Sequence, residues 1–140
     1  LLTPLVSRIG RKAALDQDAQ ARAHQVVAGW WTDAATAPVG TWFACADSGA
    51  IIRSQDDGLS WVSLGTVTSS PLYAIATSPS GDGVVAVGHG GAVTYSRDGG
   101  GTWALLPTGL DIMLAAVVFL GEDEVLVGGE GGRVLRAVLP

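Results

Sequence analysis

Two acids beside a tryptophan, in "SQDDGLSW" at residues 54–61, are the first groups in the chain with the makings of chemistry. Paired carboxylates can divide acid and base roles when they face each other across a substrate. The same spelling returns 42 residues later as "SRDGGGTW" at 96–103, with Ser, Asp, Gly, a hydroxyl residue and Trp at the same offsets. A motif written twice at fixed spacing points to architecture before catalysis. The other titratable groups do not converge either. Glu122, Asp123 and Glu124 are adjacent in one turn, where they cannot oppose one another, and read as a solvated hairpin. His24 and His89 are the two histidines and Cys45 the one cysteine, and no grouping of His, Cys and carboxylates has metal-ligand spacing. No metal and no cofactor is therefore expected, and a lone cysteine excludes an internal disulfide. "GHGGAV" and "RDGGGTW" are glycine-rich, but both open into strands and not into the helix N-terminus that a phosphate loop needs. Tyr73 and Tyr95 each lie in a strand and read as packing residues. No catalytic constellation emerges, and the chain is read as not an enzyme.

Composition narrows the partners. With 48% hydrophobic and 15% charged residues, the 140-residue chain should be ordered over most of its length and form one domain or part of one. A net charge of −5, with no basic cluster larger than "RIGRK", argues against a nucleic-acid backbone as the main partner. The longest uncharged apolar run, 113–121, is less than half of a bilayer span, so no membrane-spanning helix is expected. The compartment stays open.

The elements that carry these residues fall into two textures. Residues 1–28 hold no Trp and three of the four Gln. Thr3 and Pro4 suit an N-cap and first turn, and Gly29 a stop, which predicts a helix from about Pro4 to Val27. Lys12 with Asp16, and Asp18 with Arg22, are spaced to pair on its surface. Leu5, Ile9, Ala13 and Leu15 make a thin apolar stripe, which needs another surface or another copy to dock on. From Trp30 onward, short runs of Val, Ile, Thr and aromatics alternate with glycine, the composition of strands and tight turns. A shift of 42 superposes 42–64 on 84–106, and a shift of 41 brings "VGGEGGRVLRA" at 127–137 into the same frame. Each unit then reads as four short antiparallel strands in about 41 residues, the period of a β-propeller blade. The expectation is an all-β chain of about three blades, at roughly 30–68, 69–110 and 111–140, preceded by an N-terminal α-helix. The third blade lacks its fourth strand.

Within each duplicated turn, Asp56 or Asp98 can accept hydrogen bonds from backbone N–H groups that no ladder satisfies. Gly58 and Gly100 suit a positive φ, Ser54 and Ser96 can close the turn, and Trp61 and Trp103 can fold over it. The pattern S-x-D-x-G-x-[S/T]-W resembles the Asp-box, or BNR repeat, and the wider phrase "VVAVGHGGAVTYSRDGGGTW" is most similar to the photosystem II stability and assembly factors of that group. The resemblance covers about residues 30–140. It implies that Ser54, Asp56, Gly58, Trp61, Ser96, Asp98, Gly100 and Trp103 are structural, in turns at the outer edge of a propeller away from any ligand. It does not imply an activity, because the same blade serves sialidases and binding scaffolds alike. The sialidase arginine motif is not kept: "SRIG" at 7–10 retains Arg8 and Ile9 alone.

One pattern remains for binding. Asp47, His89 and Glu130 fall at equivalent places in the turns between second and third strands, and could form an arc of varied polar chemistry at one end of the propeller. Arg53, Arg97, Arg133 and Arg136 could face an acidic partner. Because three blades do not close a ring, the outer blades should need a partner. The leading expectation is a non-catalytic protein-binding or structural scaffold that assembles with itself, a dimer giving six blades before a trimer, or that joins a larger protein assembly. A structural part of a large particle such as a viral tail, a glycan-binding or sialidase-like subunit, and a fragment of a longer ring are the other readings.

Overall fold

The computed structural model describes residues 17–27 and 29–140. A helix α1, Gln17–Val26, leads into eleven strands. These are β1 Trp31–Ala37, β2 Thr41–Ala46, β3 Ala50–Ser54, β4 Val62–Thr66, β5 Leu72–Thr77, β6 Val84–Gly88, β7 Val93–Ser96, β8 Ala104–Leu105, β9 Leu114–Phe119, β10 Glu124–Gly129 and β11 Val134–Val138. They form three antiparallel sheets in chain order: β1 to β4, β5 to β8, and the three-stranded β9 to β11. The first strands lie side by side, β1 against β5 and β5 against β9, so the sheets fan out from a shared inner edge. Among the described residues the third sheet has three strands, as the repeat predicted. The expected helix over residues 4–16, with its Leu5, Ile9, Ala13 and Leu15 stripe and its Lys12 and Asp16 pair, falls outside the described residues, as does Arg8.

Period-two alternation decides which side chain enters which layer. In β2, Trp42, Ala44 and Ala46 face α1, while Phe43 and Cys45 face the second sheet. In β6, Val84 and Ala86 meet the first sheet, and Val85 and Val87 meet the third. A strand buried on both faces must be apolar at every position, which is why these runs show no polar alternation. Three cores result: α1 on sheet one, sheet one on sheet two, and sheet two on sheet three.

α1 docks through alanine. Ala19 and Ala23 are fully buried against Trp31, Trp42 and Trp61, because only a small side chain lets a helix backbone approach a surface already paved with indoles. Polar ties hold the docking in register. Arg22 Nε donates to Gly58 O at 2.7 Å, reaching across to the sheet and not along the helix to Asp18, and the Trp31 indole N–H donates to His24 Nε2. His24 also packs edge-on against Trp30. Among the described residues the third sheet has no such cover. Val134 and Val138 on β11 are 68% and 65% exposed, although Val93 and Ile51, the equivalents of Val134, are buried.

Candidate functional site

The two polar turns have matching geometry. Ser54 Oγ accepts the Gly58 N–H at 2.8 Å and donates to Asp56, while Asp56 accepts both the backbone N–H and the hydroxyl of Ser60. In the second copy Ser96 Oγ accepts the Gly100 N–H at 2.9 Å, and Asp98 accepts the N–H and hydroxyl of Thr102 at 2.8 and 2.7 Å. Gly58 and Gly100 sit at φ 87° and 94°, where a side chain would be strained. The Ser60 hydroxyl beside Asp56 holds its carboxyl below the usual range, and the Thr102 N–H, with the hydroxyls of Thr102 and Ser96, holds Asp98 down to about 2. A carboxylate fastened this way is a poor proton donor or acceptor near neutral pH. Asp57, the other acid of the opening stretch, adopts φ 58° and accepts the Trp42 indole N–H at 2.9 Å. Both acids therefore have structural partners inside the first sheet. Trp61 is buried under α1, and Trp103 donates to Gly100 O at 3.0 Å.

The acids of the third blade are engaged too, so the solvated-hairpin expectation for 122–124 is refined. Glu122 accepts from the backbone N–H and hydroxyl of Ser80 in the second blade, Asp123 pairs with Arg97 at 2.7 Å, and Glu124 pairs with Arg136 at 2.8 Å. The Ser80 hydroxyl lowers the Glu122 carboxyl, and the Arg136 guanidinium lowers that of Glu124. Arg53 donates to Gly99 O at 3.0 Å, bridging the first two blades. Of the four arginines singled out for an acidic partner, three thus have internal acceptors, and Arg133 stands exposed on the open third blade.

Asp47, His89 and Glu130 occupy the turns between second and third strands of successive blades, at the end of the sheets away from the two polar turns. Their backbones do one job: Asp47 N–H donates to Trp30 O, His89 N–H to Pro71 O, and Glu130 N–H to Met113 O. Two of the side chains close the loop in return. Asp47 accepts the Trp30 N–H at 2.9 Å, and Glu130 accepts the Met113 N–H at 3.2 Å. In the second blade the corresponding residue is Pro71, which has no N–H to offer, and there the acid is replaced by His89 with its imidazole exposed.

Sequence reasoning missed the ties between blades. Asp33, 1% exposed inside β1, accepts the Ile75 N–H of β5 at 3.1 Å, and Thr32 donates to Leu72 O at 2.6 Å. An aspartate within an apolar inner strand is the signal that could have located the first. Also missed was a groove of about 380 Å³ at the C-terminal ends of β1, β5 and β9, lined by Thr36, Pro38, Thr77, Pro79 and Phe119 among others. It opens at the same end as the polar turns and carries no charged side chain. Among the described residues, no group of three or more His, Cys, Asp or Glu could hold a metal, and no helix is long and apolar enough to cross a membrane.

No protein-family profile and no curated protein matches the sequence. Solved structures do match. The chain superposes on a structure described as "YCF48 bound to D1 peptide" with a TM-score of 0.70 at 16% identity, over 79% of this chain and 37% of that one. The fold is that of a β-propeller. A second structure, YCF48 from Cyanidioschyzon merolae, matches with a TM-score of 0.60 at 18% identity, over 81% of this chain and 39% of that one. The three blades span less than two-fifths of the propellers they match.

Proposed function

We propose that this chain is a non-catalytic β-propeller module that binds other polypeptides and holds them within a larger assembly. The observation that carries the reading is its likeness to a propeller solved with a peptide bound. The site chemistry agrees with it, because the carboxylates that resembled acid and base groups are engaged in turns and between blades. On this reading residues 29–140 are the binding part, in three blades near 30–68, 69–110 and 111–140, and residues 1–28, of which α1 is the described part, a tether. The polar turns at Ser54, Asp56, Gly58 and Trp61, and at Ser96, Asp98, Gly100 and Trp103, are the Asp-box staples of the first two blades. Asp47 and Glu130 shape the turns at the opposite end, and His89 is the residue there that offers a side chain to a partner.

Self-assembly into a six-bladed dimer, or into a trimer, belongs to the same proposal with one condition. Sheet one already has α1 on its outer face, so a ring that joins the third blade of one copy to the first of the next must displace α1. The test is equilibrium binding of a panel of labelled extended peptides, measured by anisotropy, beside light scattering of the chain alone. Saturable binding that weakens in His89→Ala supports the reading; failure of every peptide to bind sinks it. A monodisperse 14.2 kDa monomer removes self-assembly.

A further inference from the structure

The polar turns of the first two blades differ in one bond. In the second blade the Trp103 indole N–H donates to Gly100 O at 3.0 Å. In the first, the equivalent carbonyl, Gly58 O, accepts Arg22 Nε of α1 at 2.7 Å, and the Trp61 indole N–H is buried with no partner. A buried donor left unpaired is a standing cost, and it falls on the blade that carries α1. Two features offset it. Ala19 and Ala23 are buried among Trp31, Trp42 and Trp61, and the Trp31 indole N–H donates to His24 Nε2. The second tie depends on charge. An indole nitrogen can only donate, so His24 Nε2 must carry a lone pair, and the ring is neutral with its proton on Nδ1 whenever α1 is docked.

We propose that α1 is a detachable cover on the first blade, locked by neutral His24 and released when His24 takes up a second proton at Nε2. Protonation turns the acceptor into a donor that faces another donor, so the tie to Trp31 becomes a repulsion. Release also frees Gly58 O, and Trp61 can then close its turn as Trp103 does at Gly100 O. The pivot lies between helix and sheet. Gly29 stands at φ 90°, and just after it Trp30 N–H donates to Asp47 Oδ1 while Asp47 N–H donates to Trp30 O, so β1 stays anchored when α1 leaves. Nothing on the covered face would keep a charged ring in place, because that face is made of alanines, Ile52 and tryptophans. The charged groups at its borders are Asp47, then Asp56 and Asp57, which accept from Ser60 and the Trp42 indole, and on α1 itself Asp18 and Arg22. Among the described residues none of them forms an ion pair with His24. Histidine changes charge between about pH 5 and 8, above the ordinary range of those carboxylates, so a transition in that window belongs to an imidazole. The other histidine, His89, lies in the second blade. The device is independent of the peptide-binding reading.

The test is NMR of the full 140-residue chain, isotope-labelled and titrated from pH 8 to pH 5. Three probes report separately. The Ala19 and Ala23 methyl resonances, displaced at pH 8 by the indole rings they pack on, should move to random-coil positions as pH falls. The Trp61 indole N–H should gain protection from exchange over the same range, approaching that of Trp103. The His24 ring nitrogens should show a bare Nε2 at pH 8 and two protonated nitrogens at pH 5. Once the ring is charged, the docking constant should fall about tenfold per pH unit, the slope of a one-proton linkage. Glutamine offers a carbonyl oxygen near the place of Nε2 and does not titrate, so His24→Gln should keep both alanine methyls displaced at pH 5. Persistence of the wild-type transition in His24→Gln overturns the assignment to His24. Where that variant fails to dock even at pH 8, the wild-type spectra still decide. Protonation of His24 with the alanine methyls unmoved, or a protonated Nε2 while α1 is docked at pH 8, overturns the proposal.

Discussion

Gly49, Gly91 and Gly132 form a matched set for separating two reasons why a glycine is needed. All three stand at φ between 74° and 85°, so alanine at each carries the same left-handed penalty, about 1–2 kcal/mol. What differs is the company. At Gly91 the new Cβ would lie 2.8 Å from Thr108 Oγ1 and collide with Leu110 O, so the linker must retreat. That retreat breaks the Thr108 hydroxyl bond to Gly91 O and the Gly91 N–H bond to Ile112 O, each contributing about 1 kcal/mol. Gly91→Ala should therefore cost about 3–4 kcal/mol. Gly49→Ala should cost nearly as much, since Thr68 O collides, Ser70 O lies 2.9 Å away, and the Val67 N–H bond to Gly49 O is at risk. Gly132→Ala should cost only about 1–2 kcal/mol, the left-handed penalty alone. Urea denaturation of the three variants at constant m-value measures the difference directly. If Gly132→Ala is as damaging as Gly91→Ala, backbone conformation alone explains these glycines, and the close crossing of the linker has no energetic weight.

Two further outcomes follow from the other contacts. Ala23→Leu should push α1 off the first sheet, with an overpacking cost of about 1–3 kcal/mol; the sign is altered tryptophan fluorescence from Trp31, Trp42 and Trp61, with the second and third sheets retained. Asp98 should titrate near 2 by NMR. Since its folded-state value lies below the ordinary 3.8, its contribution to stability is present above pH 3.8 and is lost as pH falls through about 2, a loss that Asp98→Asn should not show.

The repeat was legible because propeller blades bury one strand type many times over, and each copy needs the same turn. Ser, Asp, Gly and Trp recur at 54–61 and 96–103 because one local hydrogen-bond pattern closes both hairpins within six residues, and local patterns leave local spelling. The three strands of the third sheet were legible for the same reason. The arc of Asp47, His89 and Glu130 was legible as a set of equivalent positions but not as a mixture of roles. Reading it required knowing that the Trp30 and Met113 N–H groups lie across the turn and that Pro71 offers none.

Sequence alone determined the period, the strand composition and the residues of the two staples, since these depend on neighbours a few positions apart. Tertiary structure decided everything that depends on which face meets which. It set Ala19 and Ala23 against three tryptophans, put Asp33 beneath the Ile75 N–H, and turned the run at 122–124 into three separate ties. It also closed the outer face of the first sheet with α1, because packing partners far apart in the chain are chosen by geometry and leave no fixed spacing to read.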